Sequence, residues 1–128
     1  MVSVRQKLLE IWNYDGYGYW DPLDNKSPTE TVFLMKKNLT NSDCNPIVDY
    51  LISSCESRIY EITEDRIDYE IEFDSFDRGL DETIVSDRTF EWVIYGSHEG
   101  TLTFGGTALI DFIKKLFADR KDRLNKYE

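Results

Sequence analysis

Hydrophobic residues follow two different periods along this chain, and the change of period divides it into elements. Near the start, Val4, Leu8, Ile11 and Trp12 recur at helical spacing, with Arg5, Lys7 and Glu10 on other faces, which predicts a helix over 3–13. Ser27-Pro28-Thr29-Glu30 supplies a cap, a proline for the first helical position and a capping-box glutamate. With Val32, Met35 and Leu39 as its core side, it predicts a second helix to about Asn38. Asn45-Pro46 opens a third by the same logic. Val48, Ile52, Cys55, Ile59 and Ile62 then repeat at +4, +3, +4 and +3, predicting one long helix to about Ile62. A strand over Arg58–Thr63 is the rival reading, since Ile59 and Tyr60 suit either state.

The period then falls to two. Ile67, Tyr69, Ile71 and Phe73 alternate with Asp68, Glu70, Glu72 and Asp74, as in a strand with one buried and one solvated face. Residues 75–87 read as a polar connection containing Gly79, with a short strand around Thr83–Val85. Phe90, Trp92 and Ile94 alternate with Glu91, Val93 and Tyr95. Gly96–Gly100 reads as a turn and Thr101–Phe104 as a third strand, so residues 89–105 predict a hairpin. Gly105-Gly106-Thr107 opens a last helix with an apolar stripe of Ala108, Leu109, Phe112, Ile113, Leu116 and Phe117. Lys114, Lys115, Arg120, Lys121 and Arg123 lie toward its end, where the helix dipole favours cations. The expected fold is α+β: three N-terminal helices, an antiparallel meander of about three strands, and a C-terminal helix packed on the sheet. The helices are expected to cover one face.

Length and composition narrow this further. The 128 residues suit a single domain over 1–128, large enough for one core without metal or disulfide staples. A chain that is 41% hydrophobic and 14% aromatic is not expected to be disordered. No stretch approaches the ~20 consecutive apolar residues of a membrane-spanning helix. The start, Met1 to Lys7, leads only to a short apolar patch broken by Glu10, so no signal peptide is expected. Cys44 and Cys55 would lie ~16 Å apart along a helix, beyond the ~7 Å reach of a disulfide. Cys55 reads as a small buried hydrophobe, and the chain as a reduced cytoplasmic protein.

Charge changes the picture more. The formal net charge is −10, which argues against nucleic-acid binding through a basic footprint. Residues 41–91 carry fifteen acidic and four basic side chains, a net of −11, and so hold the whole imbalance. Such a field speeds encounter with a cationic partner and repels anionic membrane. It also keeps a protein soluble, and that plainer reading stands beside the first.

Candidate chemistry is sparse. His98, the only histidine, sits with Glu99 in the Gly96–Gly100 turn. One alternative is a small enzyme using His98 and a carboxylate, but no nucleophile motif accompanies them. One histidine and two distant cysteines do not make a zinc set. Asp74 to Glu82 is rich in carboxylates, yet an EF-hand register would put Phe76 and Arg78 at ligand positions. Gly105-Gly106-Thr107 lacks a Walker lysine and reads as a turn into a capped helix. No metal, cofactor or catalytic residue is expected.

Two features remain as binding candidates. Asp68, Glu70, Glu72 and Asp74 should share one sheet face at ~6.8 Å intervals, a spacing suited to basic side chains. Glu61, Glu64, Asp65, Asp77, Asp81 and Glu82 deepen the field. The competing explanation is an edge strand charged to resist aggregation. Tyr14, Tyr17, Tyr19 and Trp20 form an aromatic, glycine-broken segment. They suit either an interface anchor or a loop folded over the core. An adaptor domain that binds another protein would use this segment.

The run Phe90-Glu91-Trp92-Val93-Ile94-Tyr95-Gly96-Ser97-His98-Glu99-Gly100-Thr101-Leu102-Thr103-Phe104-Gly105-Gly106 resembles a pattern in small bacterial immunity proteins. These accompany polymorphic and contact-dependent growth-inhibition toxins. The resemblance covers this hairpin and the chain's general size and acidity. It implies a non-enzymatic cytosolic inhibitor that binds one cognate toxin domain, often a basic nuclease. It carries over no binding residue, so the acidic positions above rest on charge alone.

Overall fold

The computed structural model describes residues 4–12, 31–54, 58–63, 68–72, 83–97 and 100–125. Among the described residues, three α-helices and six strands occur in the order α1 (Val4–Trp12), β1 (Thr31–Met35), α2 (Asn41–Ser54), β2 (Arg58–Thr63), β3 (Asp68–Glu72), β4 (Thr83–Ser86), β5 (Val93–Gly96), β6 (Thr101–Gly105) and α3 (Thr107–Leu116). Short 3-10 turns cover Lys36–Asn38 and Lys121–Arg123. The strands form one antiparallel sheet in the order β1-β6-β5-β4-β2-β3. No helix among the described residues is long and apolar enough to cross a membrane.

The α+β class and the C-terminal helix on the sheet are as expected, but three N-terminal helices and a three-stranded meander are not. The second expected helix is strand β1. Its Val32 and Leu34 are buried at period two, opposite Phe104 and Leu102 of β6. The long third helix is cut after Ser54, and the rival strand over Arg58–Thr63 is the one that forms. Ile59 and Ile62 are both buried, but in different core clusters on opposite faces of the sheet. Odd separation along a strand produces that outcome and also resembles helical spacing. The expected strand over 67–74 does not adjoin the 89–105 hairpin: β4, β5 and β6 are neighbours in mid-sheet, extended by β1 on one side and by β2 and then β3 on the other.

Helix α2 begins before Asn45-Pro46, because Thr40 and Asp43 cap it reciprocally. The Asp43 N–H donates to Thr40 Oγ1 at 3.2 Å, and the Thr40 N–H donates to Asp43 Oδ2 at 3.1 Å. Pro46 therefore lies inside the helix.

The helices also cover both faces rather than one. Helices α2 and α3 bury Ile47, Leu51, Leu109 and Ile113 in one cluster with Leu34, Ile59, Val85, Ile94 and Phe104. On the other face, Leu8 and Trp12 of α1 pack with Ile62, Ile84, Val93 and Tyr95. Neighbours such as Ile84 and Val85 thus reach different cores, and every position of β4 and β5 is buried.

Two adjacent glycines let these layers meet. A Cβ on Gly105 would stand 2.7 Å from the Trp12 ring. Gly106 has φ 112°, which disfavours other residues, and a Cβ there would strike the Glu91 carbonyl and lie 2.9 Å from Trp92 Cα. The Gly105-Gly106-Thr107 run is therefore a close-packed turn into α3, with Ile110 N–H donating to Gly106 O at 2.9 Å.

Candidate functional site

The acidic stretch falls at one end of the sheet. β3 is the terminal strand, paired on one side to β2. Its register sets Asp68 opposite Ile62, Glu70 opposite Tyr60 and Glu72 opposite Arg58. Residues directly opposite share a face, so these three positions lie on the α1 side of the sheet. Tyr69 and Ile71 lie opposite Glu61 and Ile59, on the α2–α3 side. The described backbone thus brings Asp68, Glu70 and Glu72 to one face of an edge strand. Glu64, Asp65, Asp74, Asp77, Asp81 and Glu82 lie outside the described residues, as do Tyr14, Tyr17, Tyr19 and Trp20.

The turn that holds His98 is tightly bonded where it is described. The Ser97 N–H donates to Thr101 O at 3.0 Å, and the hydroxyls of Ser97 and Thr101 are 2.7 Å apart. Lys36 Nζ donates to Ser97 O at 3.0 Å, and Lys36 N–H to Gly100 O at 2.8 Å. Ser97 is thus committed to the turn. His98 and Glu99 lie outside the described residues. Among the described residues, no group of three or more His, Cys, Asp or Glu is arranged to hold a metal ion. Cys44 is buried in α2.

The turn between β4 and β5 is anchored from within. Thr89 donates from both N–H (2.9 Å) and Oγ1 (2.6 Å) to Asp87 Oδ1. Phe90 takes φ 55°, which interrupts extended backbone and delays β5 to Val93. Its carbonyl accepts Trp12 Nε1–H at 2.9 Å, tying the turn to α1. Trp92 Nε1 is buried and has no hydrogen-bond partner among the described residues; a buried donor left without any partner costs about 1–3 kcal/mol in a typical interior. Leu9, Ile11 and Ile52 are the large hydrophobics exposed among the described residues. They lie on α1 and α2, which cover opposite faces, and so do not form one apolar patch.

At the other end of the sheet the charge arrangement is different, and sequence reasoning missed it. Arg120 Nη1 donates to Asp43 Oδ1 at 2.7 Å, and Arg120 Nη2 to Leu116 O at 3.3 Å. The guanidinium lies 4.5 Å from the centre of the Phe117 ring. Burial alone would raise the Asp43 carboxyl pKa. The Arg120 hydrogen bond, the Thr40 N–H and the Arg120 charge outweigh burial and hold it below the usual 3.8. Two residues past the 3-10 turn, Asn125 adopts φ 59° and bonds the backbone of β1 twice. Its N–H donates to Phe33 O at 2.8 Å, and its Oδ1 accepts Phe33 N–H at 3.0 Å. The chain thereby covers the outer edge of β1 at Phe33. Thr40-Asn41-Ser42-Asp43 was a readable capping signal; nothing local pairs Asp43 with Arg120 or Phe33 with Asn125.

No known protein family, characterised protein or solved structure shows a significant match to this chain.

Proposed function

We propose that this chain is an immunity-type inhibitor: a cytosolic protein that binds and neutralises a cognate cationic toxin domain, with a basic nuclease as the expected class. One observation carries the reading. The acidic excess of residues 41–91 includes the terminal strand β3, where Asp68, Glu70 and Glu72 occupy one face. The resemblance of residues 90–106 to immunity proteins supports it independently. In this mechanism the acidic edge steers the basic partner into encounter, and shape complementarity with a few buried anchors sets residence time. The reading requires no turnover and no cofactor.

The test is co-expression with the product of the neighbouring upstream gene, with one chain tagged and salt titrated through the wash. A stable complex that weakens as salt rises supports the reading. Failure to associate at low salt, with both chains folded, removes that neighbour as the cognate partner. A complex indifferent to salt contradicts the electrostatic mechanism.

A further inference from the structure

The end of the molecule remote in sheet order from β3 carries a groove that the acidic-edge reading leaves unused. It is lined by Asp111, Lys114, Lys115 and Ala118 from α3 and its trailing turn, and by Lys121 and Leu124 beyond it. Its volume is about 510 Å³, within the ~300–1,000 Å³ typical of small-molecule sites. Its surface is mostly apolar, and the half-buried Leu124 packs against the main core.

Three observations separate this groove from an ordinary solvated helix end. The helix dipole accounts for Lys114 and Lys115 in the last turn of α3, but Lys121 lies beyond that helix. In a chain with 25 acidic residues, Lys115 and Lys121 form no ion pair among the described residues. The segment that brings Lys121 and Leu124 to α3 is also pinned on both sides. Arg120 holds Asp43 and the Leu116 carbonyl before it, and Asn125 holds Phe33 after it. A cleft fixed in this way need not be ordered by its ligand, which favours binding.

We propose that this groove binds a small amphiphilic anion. An alkyl or aryl body would lie against Ala118 and Leu124, and a carboxylate or phosphate head would face Lys115 and Lys121. Asp111 shares the lining and makes a single-headed anion a better fit than a polyanion. The site is independent of the toxin-binding reading and uses none of its residues.

The test is a heteronuclear NMR titration of the full chain with octyl phosphate, kept below its micelle concentration. Inorganic phosphate and octanol serve as the separate halves, and octanoate distinguishes a carboxylate head from a phosphate head. The expected result is saturable shifts confined to α3, Lys121 and Leu124, with each half binding at least ten-fold more weakly than octyl phosphate. A Lys115→Gln/Lys121→Gln double variant, at two exposed positions, should keep the native spectrum and bind at least ten-fold more weakly. Asn125→Ala, which frees one side of the pinned segment, should also weaken binding. Absence of saturable shifts, equal affinity in the double variant, or shifts spread over both cores would overturn the proposal. Tighter binding of an acidic peptide than of octyl phosphate would overturn it in favour of a protein contact.

Discussion

The two terminal strands of the sheet face the same problem and meet it differently. At β1, the chain folds back and occupies the exposed backbone of Phe33 with Asn125, while Arg120 and Asp43 fasten the returning segment to α2. At β3, no described element pairs with the outer side, and carboxylates stand at alternate positions of the strand. Covering an edge and charging an edge both prevent indiscriminate strand pairing. They differ in what they permit. A covered edge is closed to every partner, whereas a charged edge stays open to a partner of opposite charge. Under the proposed function the acidic row would serve solubility and recognition with the same residues, so those two readings need not exclude each other.

The largest test of this contrast is at the turn into α3, which supports the closed end. Gly106→Ala adds a side chain at φ 112° against the Glu91 carbonyl. It should cost about 3 kcal/mol or more, by combining backbone strain with overpacking. Chemical denaturation would show the loss as a lower midpoint with an unchanged slope.

Next is the buried carboxylate that fastens the closed end. Asp43→Asn should destabilise by about 1–2 kcal/mol, since it weakens a charge-assisted bond and half of a helix cap. The effect should depend on pH with a definite sign. The folded-state pKa of Asp43 lies below 3.8, so its contribution is fully present above the unfolded value and is lost as pH falls through the folded value. Wild type and variant should therefore differ at pH 7 and converge in strong acid. Denaturation curves measured across that range would check it.

A smaller effect is expected where the edge itself is covered. Asn125→Ala removes the acceptor for Phe33 N–H and leaves alanine in a left-handed conformation, a loss of about 1 kcal/mol. Hydrogen exchange at Phe33 should accelerate far more than exchange at β4 or β5. The smallest effect is expected at the β3 end. If the row serves a partner rather than the fold, replacing Asp68, Glu70, Glu72 and Asp74 by Asn, Gln, Gln and Asn should change stability by no more than about 0.5 kcal/mol. A large loss would mean that the row holds the fold together rather than serving a partner.

The parts of this architecture legible in the sequence were those with one dominant period. Helix α1, strand β3, the β5–β6 hairpin and α3 each follow from local spacing, and a short strand was visible around Thr83–Val85, where β4 forms. The readings failed where two periods coincide. Val32, Met35 and Leu39 fit a helix, but Val32 and Leu34 fit a strand, and pairing with β6 decides between them. Ile59 and Ile62 fit a helix only if the sheet has one covered face, and α1 covers the second. The acidic row and its edge strand could be read directly. The lysine groove could not, because it depends on a turn held by two long-range contacts, Arg120 to Asp43 and Asn125 to Phe33. His98 was legible as a candidate, and the neighbouring Ser97 proves to be bonded within its own turn.

Faster capture of a cationic partner through the acidic residues of β3 is the core of the proposed function. Its most direct test is the association rate of wild type and the four-residue neutral variant with the co-purified partner, measured by stopped flow at low and high ionic strength. The variant should associate at least ten-fold more slowly at low salt, with the two rates converging as salt screens the field. Equal rates at low salt, with both proteins folded, would contradict it.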